Sequence, residues 1–258
     1  MAALKARNIL ITGANRGLGL EMVRQLVEIP YPNRQIFACC RDPDGPKSKD
    51  LRELAEKHPK VIKIIRLDVA DANSIREAAK KVGSLLEKNG LNLLVNNAGV
   101  VKHTNLLDTS TEDMWNIFDA NVMGPFTVTK EFIPYLRTAV KASGTPGMSC
   151  DKAAVINVST YAASLASVDK TYPHWIAFPY NVTKTALNMM TVLAAIDFKP
   201  EEILFTALHP GWVKTELGGE GAMIGVRESI EGMLHVMSGL TEKQNGAYMD
   251  YTGKTLPW

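Results

Sequence analysis

Short apolar runs alternate with longer amphipathic stretches along most of the chain. The runs NILIT (8–12), QIFACC (35–40), VIKIIRL (61–67), LNLLV (91–95), AAVINV (153–158) and ILFTAL (203–208) show no polar alternation. That is the pattern of strands covered on both faces, as in a parallel sheet between helical layers. Segments 17–28, 48–57, 71–88, 111–140 and 181–198 carry apolar residues at helical spacing. The alternation predicts βαβ units and an α/β fold. A last run, GAYMDY (246–251), adds a candidate edge strand. Asp71 and Ser110 stand where helix N-caps belong, and Pro200 closes the helix that follows Lys184. The loop SGTPGMSCD (143–151) is rich in turn formers and is expected to be exposed. No repeat, linker or low-complexity tract divides the chain, so 1–258 reads as one domain.

Composition narrows the function classes. With 46% hydrophobic and 22% charged residues the chain can build a sizeable core. A net charge of +2 gives no argument for nucleic acid or an anionic membrane surface. Three cysteines make no disulfide framework and point to the reducing cytosol. Cys39 and Cys40, adjacent in a strand, should face opposite sides of the sheet as small hydrophobes. The start MAALKARNIL lacks the apolar core of a signal peptide, and no apolar run approaches the ~18 residues a membrane span needs. The five histidines have no metal-ligand spacing with cysteines or carboxylates, so no metal is expected.

Candidate chemistry begins after the first strand, in TGANRGLG, where Gly13, Asn15, Arg16, Gly17, Leu18 and Gly19 form a turn into a helix. Backbone N–H groups and the helix dipole make such a turn an anion site, and glycine admits the close approach of a pyrophosphate. At the end of the second strand an NAD site would place an acid. Here Cys40 is followed by Arg41, and with Arg16 this supplies two guanidiniums suited to a 2′-phosphate, hence NADP(H). The competing reading leaves Arg41 solvated and gives ribose binding to Asp42 and Asp44.

In YNVTK (180–184), Tyr180 and Lys184 stand four apart and share a helix face. A tyrosine with pKa ~10 needs ~4 kcal/mol of phenolate stabilisation to work near pH 7. One ammonium ~4 Å away supplies about that at an effective dielectric of ~20. The pair reads either as a proton donor with its tuning charge or as a chance spacing on a partly exposed helix, and the rest of the chain decides between them.

TGANRGLG, NNAG (96–99), NVST (157–160), YNVTK and HPGWVKTEL (209–217) together resemble the short-chain dehydrogenase/reductase superfamily, over essentially the whole chain. ILITGANRGLGLEMV, LHPGWVKTELGG and EKQNGAYMDYTGKTLPW are most similar to its sniffer-type carbonyl reductases. The resemblance implies a doubly wound Rossmann sheet of seven mostly parallel strands, with helices on both faces. It also implies hydride transfer between NADP(H) and a carbonyl or alcohol. It makes Tyr180 the acid/base, Lys184 its partner and ribose ligand, and Asn121 the holder of a water on the proton path. It puts Asn97, Ala98 and Gly99 on the adenosine side and Asp68, with Val69, on the adenine. It puts Pro210, Gly211, Val213 and Thr215 on the nicotinamide amide. The family's second catalytic hydroxyl is usually serine. Register puts Thr160 there, whose methyl narrows the pocket, with Ser159 and Ser164 as alternatives.

Trp212, Trp175 and Leu165, with Phe178 and Met223, are candidate walls of an apolar substrate pocket, and 218–240, glycine-rich at its start, is the expected lid. The helix carrying Met189 often packs against its mate in this family, so a homodimer is expected. The preferred function is an NADPH-dependent carbonyl reductase acting on a small molecule. The rivals are a non-catalytic NADP(H)-sensing regulator and an alcohol or steroid dehydrogenase running oxidatively.

Overall fold

The computed structural model describes residues 4–86 and 88–258. The strands are β1 (Asn8–Thr12), β2 (Gln35–Cys40), β3 (Ile62–Arg66), β4 (Leu93–Asn96), β5 (Ala154–Val158), β6 (Leu204–His209) and β7 (Tyr248–Asp250). They form one sheet in the order β3-β2-β1-β4-β5-β6-β7, with every neighbouring pair parallel. The expected edge strand is β7, and it too pairs parallel to β6. The helices are α1 (Gly17–Glu28), α2 (Lys49–Lys57), α3 (Ala72–Leu86), α4 (Thr111–Phe118), α5 (Gly124–Ser143), α6 (Val168–Thr171), α7 (Phe178–Asp197) and α8 (Val226–Gly239). Position 87 of the predicted helix 71–88, and the first three residues of the predicted domain, lie outside the described residues.

Strand alternation explains the uninterrupted apolar runs. Ile9 and Ile11 point into one layer with α1 and α8, whereas Leu10 joins Phe37, Val128 and Phe132 in the other with α3 and α5. Cys40 and Cys39 divide in the same way, both buried, with burial pushing each thiol up. Ser110 closes a reciprocal capping box with Asp113, and Asp71 accepts from the Asn73 amide at 2.8 Å.

Three expectations change. The stretch 111–140 is not one helix, because a π-helical turn, Asp119–Met123, separates α4 from α5. Within 143–151, Met148 and Cys150 enter the core. Of the expected lid, Val226–Gly239 is α8, which buries Ile230, Met233, Leu234 and Met237 against the sheet. Only 218–225 is left as irregular chain beside the site.

Candidate active site

The sheet order reverses between β1 and β4, which places a crevice beyond the carboxyl ends of these strands. At its floor Gly13 (φ 65°) and Gly17 (φ 53°) hold left-handed backbone. A Cβ on Gly19 would collide with the Gly13 carbonyl, so α1 starts hard against the turn. Arg16 occupies the N-cap position with no side-chain cap, which leaves the first N–H groups of α1 for an anion. Asn97 braces the turn from β4, its amide donating to the Thr12 carbonyl at 2.9 Å and the Gly13 carbonyl at 3.2 Å. Thr12 Oγ1 accepts from the amides of Asn97 and Ala98, both at 3.0 Å. Leu18, partly buried, packs against the core.

The charged rim is richer than expected. Arg16 is ion-paired with Glu216, and Lys47 Nζ stands 3.4 Å from the same carboxylate. Asn15, Arg16, Gly17 and Lys47 line a cavity of about 400 Å³. Arg41 is exposed, and Asp44, one of the two acids in the competing reading, pairs with Arg66 at 2.9 Å. Lys47, Glu216 and Arg66 went unrecognised in the sequence, Glu216 even though it lies within HPGWVKTEL, because a single charge does not show which partner the fold brings to it. Just beyond β3, Asp68 caps its own turn, accepting from the Ala70 amide at 3.1 Å. A Cβ on Gly124 would lie 2.9 Å from the Val69 carbonyl oxygen, so the start of α5 sits directly against Val69.

The segment after β6 crosses from the sheet to the glycine turn. Gly211 (φ 85°) is packed where a Cβ would strike Ile224 and Tyr251, and Ser229 on α8 donates to the Pro210 carbonyl at 2.6 Å. Val213 pairs with Ile224, and the Thr215 methyl faces Gly17. The Trp212 indole donates to the Gly218 carbonyl at 2.7 Å and lies against Gly221. Trp212 thus braces its own loop rather than offering a free pocket wall. Leu165 and Met223 are exposed, 72% and 76%. Trp175 does reach the centre, edge-to-face with Tyr180 at 5.1 Å and with His103 at 5.1 Å.

Pro179 occupies the first turn of α7, where its missing N–H costs nothing, and Tyr180 follows it. Tyr180 is buried beside Thr160, whose hydroxyl lies against the phenol. Ser159 is committed elsewhere, donating to Asn188 Oδ1 at 2.6 Å, and Ser164 is buried without a hydrogen-bond partner. Thr160 is therefore the hydroxyl that faces Tyr180. Lys184 is 3% exposed, donates to the Val158 carbonyl at 2.7 Å and lies 5.7 Å from the Tyr180 ring centre. Burial lowers its pKa to about 8.

The expected tuning of Tyr180 is reversed. Burial pushes the phenol well above its usual value, and the Thr160 hydroxyl offsets only part of this. The ammonium is directed at a carbonyl, and loss of water around a phenolate outweighs a charge at that distance. Asn121 also differs from expectation. Its Oδ1 accepts from the Val100 amide at 2.9 Å, and its amide donates to the Val100 carbonyl at 2.9 Å and Thr183 Oγ1 at 3.2 Å. Both amide hydrogens are used, and the side chain fixes the Gly99–Val100 segment to α7. Beneath it Asn96 donates to Asn157 Oδ1 at 2.9 Å, and Asn157 to Thr191 Oγ1 at 2.8 Å, a buried polar ladder joining β4, β5 and α7.

A family model described as short chain dehydrogenase matches residues 7–222. The chain belongs to the short-chain dehydrogenase family. A carbonyl reductase from chicken fatty liver, solved with NADPH bound, is 39% identical with a TM-score of 0.94, over 99% of this chain and 100% of that one. The carbonyl reductase Sniffer of D. melanogaster is 32% identical with a TM-score of 0.92, over 98% and 100%. Among sequence relatives, the C-signal of Myxococcus xanthus is 34% identical over 169 residues, 65% of this chain and 93% of that protein. Within the short-chain dehydrogenases this chain is most like the sniffer-type carbonyl reductases. No helix among the described residues is long and apolar enough to cross a membrane, and no trio of His, Cys, Asp or Glu there is placed to hold a metal.

Proposed function

We propose that the chain is an NADPH-dependent carbonyl reductase of ketones, aldehydes or quinones, with Tyr180 as proton donor. The observation that carries this reading is the buried Tyr180 phenol facing the Thr160 hydroxyl, with the Lys184 ammonium behind it. The uncapped start of α1 and the turn at Gly13, Asn15, Gly17 and Gly19 fit a pyrophosphate. Arg16, Arg41 and Lys47 would hold a 2′-phosphate. Asp68, Val69, Asn97, Ala98 and Gly99 would hold the adenosine side. Pro210, Gly211, Val213, Thr215 and Lys184 would hold the nicotinamide end. When bound, the dinucleotide supplies a hydride to the carbonyl carbon.

Thr160 orients the carbonyl oxygen, and Tyr180 gives it a proton as negative charge develops there. A raised phenol pKa suits that direction, since it keeps the donor loaded. Lys184 balances the phenolate left behind, and Asn121 holds the adjoining backbone in place. The edge-to-face pair of Trp175 and Tyr180 supplies an aromatic wall, favouring aromatic carbonyls and quinones. A cofactor sensor has no use for a buried phenol beside a second hydroxyl, which favours the enzyme over that rival. The test is NADPH oxidation against a panel of quinones, aldehydes and ketones. Wild type should turn over at least one class, and Tyr180→Phe should lose turnover while still binding NADPH. Turnover unchanged in Tyr180→Phe would remove the tyrosine from the mechanism. Arg41→Asp should weaken NADPH far more than NADH, and equal losses would sink the 2′-phosphate assignment.

A further inference from the structure

We propose that Tyr248 is a positioning residue for Thr160, so that the outermost strand of the sheet helps to set the geometry of the active site. The inference rests on the reading of Thr160 as the carbonyl-orienting hydroxyl. Tyr248 lies on β7, 1% exposed, and its register partner on β6 is Ala207, itself paired with Asn157 on β5. Because position 207 is alanine, the Tyr248 ring can pass over β6 and reach the segment that leaves β5. There its hydroxyl donates to the main-chain carbonyl of Thr160.

The ring is itself held. It stacks on Trp258 with centres 5.2 Å apart and planes at 25°, and it packs with Ala207 and Leu256 in a small cluster that Tyr161 closes. The Trp258 carbonyl accepts from the Ala166 amide at 2.8 Å, so the same segment returns to the loop that begins at Thr160. A further tie runs through α7. The Asn188 side chain lies beside the Tyr248 hydroxyl, and its Oδ1 accepts from Ser159.

Without Tyr248, Thr160 is held more loosely. Its carbonyl keeps only the Ala163 amide, at 3.0 Å, and its Oγ1 takes a long bond from the Ala162 amide, at 3.3 Å. Rotation of the Thr160 peptide plane would carry the hydroxyl away from Tyr180. Tyr248 is enclosed, and the one hydrogen bond its hydroxyl donates goes to Thr160, so Thr160 is the residue through which it acts.

The experiment is a double-mutant cycle of Tyr248→Phe and Thr160→Val, with kcat and KM measured for the carbonyl and for NADPH. Phe keeps the ring packing and removes only the hydroxyl. Tyr248→Phe should lower kcat about tenfold, the scale of one lost positioning hydrogen bond, with KM for NADPH unchanged. In the Thr160→Val background the same change should cost nothing further. An equal loss in both backgrounds, or a loss that moves KM for NADPH instead of kcat, would overturn the proposal and leave Thr160 in its role. Wild-type kcat in Thr160→Val would overturn the reading of Thr160 and the proposal with it. Should Tyr248→Phe not fold, Trp258→Leu at a half-exposed position loosens the same ring. It should lower kcat about threefold in the Thr160 background alone, and unchanged kcat counts against the role.

Discussion

Replacing Lys184 by methionine should slow reduction while making the protein more stable. The ammonium is 3% exposed and lies 5.7 Å from the Tyr180 ring centre. At an effective dielectric of ~20 that separation is worth about 3 kcal/mol to a full phenolate. With roughly half the charge developed in the transition state, its loss costs about tenfold in kcat. Stability moves the other way. The folded-state pKa of Lys184 is about 8 against an ordinary 10.5, so between these values the unfolded chain binds a proton that the folded chain does not. The cost of burying the ammonium is complete below pH 8 and is relieved as pH rises toward 10.5. Methionine removes that cost, about 3 kcal/mol, and forfeits the hydrogen bond to the Val158 carbonyl, about 1–2 kcal/mol. A net gain of ~1 kcal/mol is expected at neutral pH, shrinking as the pH is raised. The assay is kcat at saturating NADPH across the pH range, with urea midpoints at both ends. Wild-type kcat should fall through pH ~8 toward the Lys184→Met level, and the variant should be flat there, because Tyr180 titrates higher. A descending limb near pH 8 that persists in Lys184→Met would refute the assignment, as would a variant equal to wild type at pH ~7.

Three other outcomes can be checked directly. Burial lowers the His209 pKa to about 4, with Asp250 opposing. The unfolded state gains that proton first as pH falls through ~6.5, so stability should drop by at most ~3 kcal/mol between ~6.5 and ~4, and urea midpoints of His209→Gln should drop less. Glu216→Gln frees Arg16 and Lys47 from their shared carboxylate and should tighten NADPH roughly two- to fivefold by fluorescence titration, leaving NADH unchanged. Weaker NADPH binding would mean that Glu216 arranges these cations instead of competing for them. On α7, Met189, Leu193 and Ile196 are 60%, 54% and 65% exposed on one face. If that face joins two copies, Met189→Glu should convert a dimer to monomer in light scattering; a monomeric wild type ends the dimer expectation.

What could be read from the chain alone was whatever depends on neighbours in sequence. The strands were legible because both faces of the sheet are covered, so Ile9, Leu10 and Ile11 are all apolar though they enter different layers. The glycine turn was legible because a phosphate cradle needs small residues at fixed steps. The π turn was not, since one extra residue per turn leaves no periodic trace, and it is the turn that delivers Asn121 to Val100. α8 was hidden by the glycines that precede it, although Ile230, Met233, Leu234 and Met237 carry a helical stripe.

The Tyr180–Lys184 pair marks the boundary most sharply. A spacing of four states that two side chains share a helix face. It is silent on how much water the fold removes from them, and that decides the sign. Tyr180 ends under Trp175 and beside Thr160, and Lys184 ends beneath the Val158 carbonyl. Burial disfavours the charged form of each: the phenol is raised and stays protonated, and the ammonium is lowered to about 8 yet stays charged at neutral pH. A loaded phenol beside a standing ammonium suits a donor that gives up one proton to an alkoxide, because the phenolate is created next to its counter-charge only as the proton moves. A site tuned as the spacing alone suggests, with a standing phenolate at neutral pH, would instead favour taking protons from alcohols. The proton affinity of the pair is thus set by burial, a property of the whole sheet and its helices, and not by the motif.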